Sequence, residues 1–179
     1  MKKTLKDILL TSFYLLLVLV MVLLVITYVG QKIEVVGPSM SPTLTDGDNM
    51  FIDKISYRFS DPERFDIVVF PYQHEKDTYF IKRIIGLPGE TVFIDNAGTI
   101  YINGEILDEG YGAETIQNPG RAYEPVTLGP DEYFVLGDNR NNSSDSRDPN
   151  VGNLKRSRII GKAFMRVSPF RRMGMIKHK

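Results

Sequence analysis

Four short segments hold the residue types from which chemistry can be built. The first, residues 37–44 (GPSMSPTL), sets Ser39 in a stretch stiffened by Pro38 and Pro42. Proline fixes its own φ and restricts the residue before it, so such a loop presents one hydroxyl rigidly, as a nucleophile requires. A plain turn uses the same residue types. The second, residues 79–90 (YFIKRIIGLPGE), reads as a strand with Phe80, Lys82 and Ile84 on one face and Ile81, Arg83 and Ile85 on the other. Each face then carries one cation between apolar neighbours. Burial lowers a lysine pKa, and a neutral Lys82 can act as general base near neutral pH. A lysine snorkelling from an edge strand fits the same pattern.

The third segment, residues 137–147 (GDNRNNSSDSR), has no large apolar side chain. Asp138, Asp145, Arg140 and Arg147 can pair there in a dense hydrogen-bond network. A solvent loop or a calcium loop uses similar residues, but the residue order of an EF-hand is missing. The fourth, residues 66–70 (DIVVF), reads by itself as a buried strand.

Composition narrows the chemistry. The 179 residues carry 22 basic and 22 acidic side chains, no cysteine, and two histidines, His74 and His178. A zero net charge argues against a nucleic-acid binder driven by bulk charge. The missing cysteines remove disulfides, thiolate nucleophiles and cysteine zinc sites. Serine with lysine is one of the few nucleophile–base sets left. His74 lies in a polar stretch that reads as a solvated loop, and His178 lies in the tail.

The elements that must position these groups begin with an anchor. Residues 8–30 are uncharged, a run of 23 residues. As a helix it spans about 34 Å, against about 30 Å for a hydrocarbon core. Lys2, Lys3 and Lys6 precede it, which predicts a cytoplasmic segment 1–7 and an extracytoplasmic body after residue 30. A cleaved signal has a shorter apolar region and a small-x-small site, and a core helix carries a polar stripe. The run has neither, so it reads as an uncleaved anchor.

The body reads as mainly β, with strands near 33–36, 49–53, 66–70, 79–85, 91–94, 99–102 and 132–136. Residues 95–98 (DNAG) and Asn103-Gly104 are hairpin signals. Residues 31–89 and 136–168 carry the denser apolar strands of a β core. Residues 90–135 read as a smaller hairpin-rich β insertion, and residues 169–179 as a basic tail, solvated or frayed.

Taken together and in this order, the four segments resemble the type I signal peptidases (leader peptidases), a family of Ser/Lys serine proteases. The likeness runs from about Gly37 to Phe170, and the single small anchor and short insertion resemble the Gram-positive branch. The resemblance implies a membrane-bound hydrolase with an antiparallel β catalytic domain. It implies Ser39 as nucleophile and Lys82 as general base, with cleavage through an acyl-enzyme. Ser143 would hydrogen-bond the lysine amine, and Met40 would pack beside the nucleophile. Asp145 with Arg147 and Arg83 would form a salt-bridged scaffold, and Asp138 and Arg140 would be structural. Two positions depart from the family pattern. Gly37 stands where many Gram-negative members have a serine that helps form the oxyanion hole, which leaves the Ser39 N–H as the donor. Phe65 stands where glycine commonly precedes the aspartate. The implied partners are exported preproteins with signal peptides, the lipid bilayer and the secretion translocase, with no nucleic acid, cofactor or metal.

Overall fold

The computed structural model describes residues 2–28, 30–73, 75 and 78–176. His74 and His178, read above as loop and tail residues, lie outside the described residues. One long helix, α1 (Lys2–Tyr28), leads into a body of short strands. Its apolar window Lys6–Leu23 has a mean hydropathy of 2.1, and none of it is buried against protein. A helix that is apolar all round and packs on nothing suits lipid rather than a core.

The strands are β1 (Gly30–Glu34), β2 (Asn49–Asp53), β3 (Ile67–Pro71), β4 (Tyr79–Gly86), β5 (Thr91–Ile94) and β6 (Ile100–Ile102). They continue as β7 (Glu105–Ile106), β8 (Val126–Thr127), β9 (Glu132–Leu136), β10 (Leu154–Lys155), β11 (Gly161–Ser168) and β12 (Gly174–Met175). The larger sheet has the order β1-β2-β11-β3-β4-β9-β10, with β12 beside β11, and the smaller has the order β7-β6-β5-β8. The pairings are antiparallel throughout.

Side-chain alternation explains the flanking strands and continuous burial the central ones. In β2 Met50 and Ile52 are fully buried while Phe51 and Asp53 are half-buried. In β3 Ile67, Val68, Val69 and Phe70 are all buried, because both faces of the sheet are covered. One core lies under the chain leading out of β1: Val35, Met40 and Leu44 on Met50, Ile52, Ile67, Val69 and Ile81. A second covers the opposite face, with Val68, Phe70, Ile84, Tyr133 and Val135. The third joins the two sheets, packing Ile85, Phe134 and Leu136 against Val92, Ile94 and Leu128. Gly86 sits at that joint, where a Cβ would lie 2.6 Å from Val92 and 2.8 Å from Leu128.

Several boundaries differ from those read in the sequence. The helix stops at Tyr28, and Gly30 already pairs with Asp53, so the anchor does not reach residue 30. Only glycine fits at position 30 in this strand, because a Cβ there would sit 2.0 Å from the Phe51 ring. The first strand falls at Gly30–Glu34 rather than 33–36. Glu132–Leu136 belongs to the larger sheet, paired with β4, so the separate sheet of the insertion spans only Thr91–Thr127. The segment read as a frayed tail is folded as far as residue 176: Phe170–Arg172 make a 3-10 turn and β12 pairs with β11. Both hairpins form where turn chemistry placed them, with Gly98, Asn103 and Gly104 at positive φ.

Candidate active site

Ser39 opens a tight turn between β1 and β2. Ser41 N–H bonds the Pro38 carbonyl at 2.9 Å, and Leu44 N–H bonds the Met40 carbonyl at 2.9 Å. Gly37 enters this turn at φ +86°, and its N–H donates to Asp46 Oδ1 at 2.7 Å. Met40, only 1% exposed, is buried in the core below and locks the turn from beneath. Among the described residues none accepts the Ser39 N–H, which leaves that donor open.

Lys82 sits in the middle of β4, opposite Val68 of β3. Its side chain is 3% exposed, and Nζ donates to Ser39 Oγ at 2.7 Å. Burial brings its pKa down to about 8, against the opposing pull of the Asp145 and Asp138 carboxylates. A buried amine with that pKa is partly neutral near pH 7–8, when it can accept a proton.

Arg83 points away from the dyad and is fully buried. Its Nε and Nη2 grip Asp138 at 2.8 and 2.7 Å, its Nη1 donates to the Phe65 carbonyl at 2.9 Å, and its guanidinium lies 3.7 Å over the Tyr111 ring. Phe65 adopts φ +72°, the left-handed conformation that glycine meets without strain. Asp138 also accepts from Thr43 Oγ1 at 2.5 Å, which ties β4 to the loop of Ser39.

The loop 137–147 closes the site through paired charges. Asp145 takes both the Nε and Nη2 of Arg147 at 2.8 Å and the Gly137 N–H at 3.1 Å. Arg147 also donates to the carbonyls of Arg140 and Asn118. Arg140 donates to the Gly137 carbonyl at 3.1 Å and pairs with Glu109. Asn139 holds the nucleophile turn from this side: its N–H donates to the Ser39 carbonyl at 3.1 Å and its Nδ2 to the Pro38 carbonyl at 3.2 Å.

Two sequence expectations need correction. Arg83 does not join Asp145 and Arg147 in one scaffold; it pairs with Asp138, and the two ion pairs are separate. The loop returns Asp138 to the Arg83 face of β4, while Asp145 is held by the arginine two residues on. Nor does Ser143 bond the Lys82 amine. Its Oγ is buried without a partner among the described residues, packed against Gly137, where a Cβ would lie 2.2 Å from it. Asp66 lies away from the dyad and takes Tyr57 Oη at 2.8 Å and Lys162 Nζ at 2.6 Å. Asp46, Asp48, Arg166 and Arg172 escaped the sequence reading, and Thr43 and Asn139 lay inside its motifs without a role of their own. Thr43, Asp46 and Asp48 follow the nucleophile turn closely enough to have been suspected, whereas the two arginines have no local signal.

Beside the dyad lies a groove of about 440 Å³. One wall is the chain from Ile33 to Met40, the other the start of β4 from Thr78 to Lys82. On its side away from β3, β4 pairs with β9 only from Arg83 onward, so among the described residues no strand lies on that edge of residues 79–81.

The comparisons with known proteins show the family. The family described as signal peptidase, peptidase S26, matches residues 7–168. A probable signal peptidase I-2 of Synechocystis sp. is 45% identical over 155 residues, 84% of this chain and 68% of that protein. The signal peptidase I of Leptolyngbya laminosa is 42% identical over 156 residues, 83% of this chain and 73% of that one. A crystal structure of a signal peptidase I from Enterococcus faecalis aligns at 36% identity and a TM-score of 0.46, over 57% of this chain and 97% of that chain. The chain therefore belongs to the signal peptidase family, peptidase S26, and is a serine peptidase.

Proposed function

We propose that this chain removes N-terminal signal peptides from exported preproteins with Ser39 as nucleophile and Lys82 as its base. The observation that carries this reading is the 2.7 Å contact between Lys82 Nζ and Ser39 Oγ, with the lysine buried. The neutral amine accepts the Oγ proton as Oγ attacks the scissile carbonyl. The Ser39 N–H donates to the oxygen that gains charge. Collapse breaks the C–N bond; the new amine of the mature protein takes the proton from Lys82, and the signal peptide stays on Ser39 as an ester. Lys82 then takes a proton from water as its oxygen attacks the ester; the ester C–O bond breaks, Ser39 Oγ leaves with that proton from Lys82, and both residues return to their starting state.

The groove supports an extended substrate. A peptide laid between residues 33–38 and the free edge of residues 79–81 can pair with backbone on both sides, as strand addition does elsewhere. The apolar lining of Ile33, Val36, Tyr79 and Ile81 favours small apolar side chains at alternate positions, which matches the small residues at −1 and −3 that the family implies. Helix α1 anchors the chain in the bilayer, and Lys2, Lys3 and Lys6 hold its N-terminus in the cytoplasm. Ser39 follows nine residues after Gly30, at most about 30 Å of chain, so the dyad works close to the outer membrane surface, where contact with the translocase is also available.

The acyl-enzyme supplies the test. Full-length protein in detergent, mixed with a preprotein and quenched in acid, is expected to gain the mass of the signal peptide on Ser39 through a hydroxylamine-labile bond. A bond formed on any other residue, or an adduct that persists in Ser39→Ala, overturns the assignment.

A further inference from the structure

The segment that follows β11 reaches back to the nucleophile loop through two arginines. Asp48, at the end of that loop, is fully buried. Its Oδ2 lies 3.0 Å from Arg166 Nε and takes the Thr45 N–H at 3.0 Å, and its Oδ1 takes Arg172 Nη2 at 2.7 Å. Arg172 Nη2 donates to Thr45 Oγ1 as well, at 2.7 Å. Arg166 donates to the Thr43 carbonyl and to the Arg172 carbonyl. Thr43 in turn donates to Asp138, which grips Arg83, the residue next to Lys82. A continuous run of ion pairs and hydrogen bonds therefore joins the tail to the loop of Ser39 at Thr43 and Thr45, and onward to Arg83, the chain neighbour of Lys82.

We propose that Arg172, acting through Asp48 and Thr45, is a positioning residue for Ser39. This rests on the Ser39/Lys82 reading. The loop 37–48 is irregular, held within itself by short turn bonds and by the Gly37 N–H to Asp46 bond, so its shape also depends on side chains from outside it. Reaction at Ser39 depends on sub-ångström placement of Oγ relative to Nζ and to the scissile carbonyl. Asp48 alone, buried without its two arginines, would be an uncompensated charge at the foot of the loop. Arg166, placed on β11, brings the rigidity of the sheet. Arg172, on the 3-10 turn after it, is the replaceable half: its side chain is 43% exposed, so its removal lets water solvate the vacated carboxylate oxygen and leaves the core intact.

The test uses the full chain in detergent, with a preprotein substrate, well below the unfolding temperature. Arg172→Ala is expected to lower kcat about tenfold while KM stays within about twofold, because the groove is unchanged. Arg172→Lys restores most of the rate, since an ammonium reaches the same carboxylate. Arg171→Ala, the same charge change at an exposed neighbour, leaves kcat unchanged. In an Asp48→Asn background the further change Arg172→Ala has little effect, which shows that the two act as one unit. Wild-type kcat in Arg172→Ala overturns the proposal, as does a loss equal to that of Arg171→Ala or full additivity with Asp48→Asn. Ser39→Ala is run alongside: its retained activity would mean that the dyad reading has failed, whereas an inactive Ser39→Ala beside a fully active Arg172→Ala rejects the positioning role alone.

Discussion

Lys82 is the base of the proposed reaction, and its burial has two measurable consequences. Its pKa of about 8 lies below the ordinary 10.5, so the neutral base becomes available as pH rises through about 8. The acid limb of the kcat/KM profile is expected there, and a limb near the ordinary lysine value would mean that Lys82 is not the base. The same shift affects stability. Below about pH 8 the amine is protonated in both the folded and unfolded chain, and the folded state carries the full penalty of a buried charge. Between about 8 and 10.5 the unfolded chain holds a proton that the folded one has lost, so stability rises with pH. The whole effect is on the order of 3 kcal/mol. Lys82→Met is therefore expected to melt higher than wild type at pH 7, with the gap closing by pH 10. An equal gap at both values would show that the lysine is not destabilised by burial.

At the scale of elements, β4 carries the proposed base Lys82 on one face and the buried Arg83 on the other. Arg83 is held by a bidentate carboxylate in a fully buried site. Asp138→Ala leaves that guanidinium uncompensated and is expected to destabilise the fold by about 3–5 kcal/mol in denaturant melts. A change under about 1 kcal/mol would mean that water or another acceptor takes over. Gly86, where β4 turns from one sheet to the other, offers a second check. A methyl there meets Val92, Leu128 and Phe134 within 3.0 Å, and Gly86→Ala is expected to lose about 1–3 kcal/mol, read as a lower midpoint. A midpoint unchanged by the substitution would show that the joint between the sheets is loose.

Local signals made most of these elements legible in the sequence. β2, β5 and β9 fall where β-branched and aromatic runs placed them, and both hairpins follow from Asn and Gly at positive-φ positions. Ser39, framed by prolines, and Lys82, set between apolar neighbours, stood out in the sequence, but only the family resemblance implied their pairing, and the structure sets them 2.7 Å apart. What the sequence did not disclose is pairing at long range. Nothing near Arg83 says that Asp138 rather than Asp145 will meet it, 55 residues away. Nothing in the basic tail says that Arg172 will cross 124 residues of chain to Asp48. Those choices belong to sheet order, which brings β11 next to β2 and thereby the tail next to the nucleophile loop.

The whole molecule combines an apolar helix with a mildly acidic body. Residues 1–30 hold three of the 22 basic and one of the 22 acidic side chains, leaving 19 and 21 for the rest. That split is what makes the average composition look like an ordinary soluble protein. With α1 in the bilayer and its lysines inside, protease added outside spheroplasts is expected to digest the body and spare the N-terminus. Protection of the body would reverse the topology. The central claim is that Ser39 and Lys82 act as one catalytic pair, and side-by-side cleavage of a preprotein by wild type, Ser39→Ala and Lys82→Ala tests it most directly. The account expects correctly folded variants, each with no detectable signal-peptide release, against complete processing by the wild type. Normal turnover by either folded variant would contradict it.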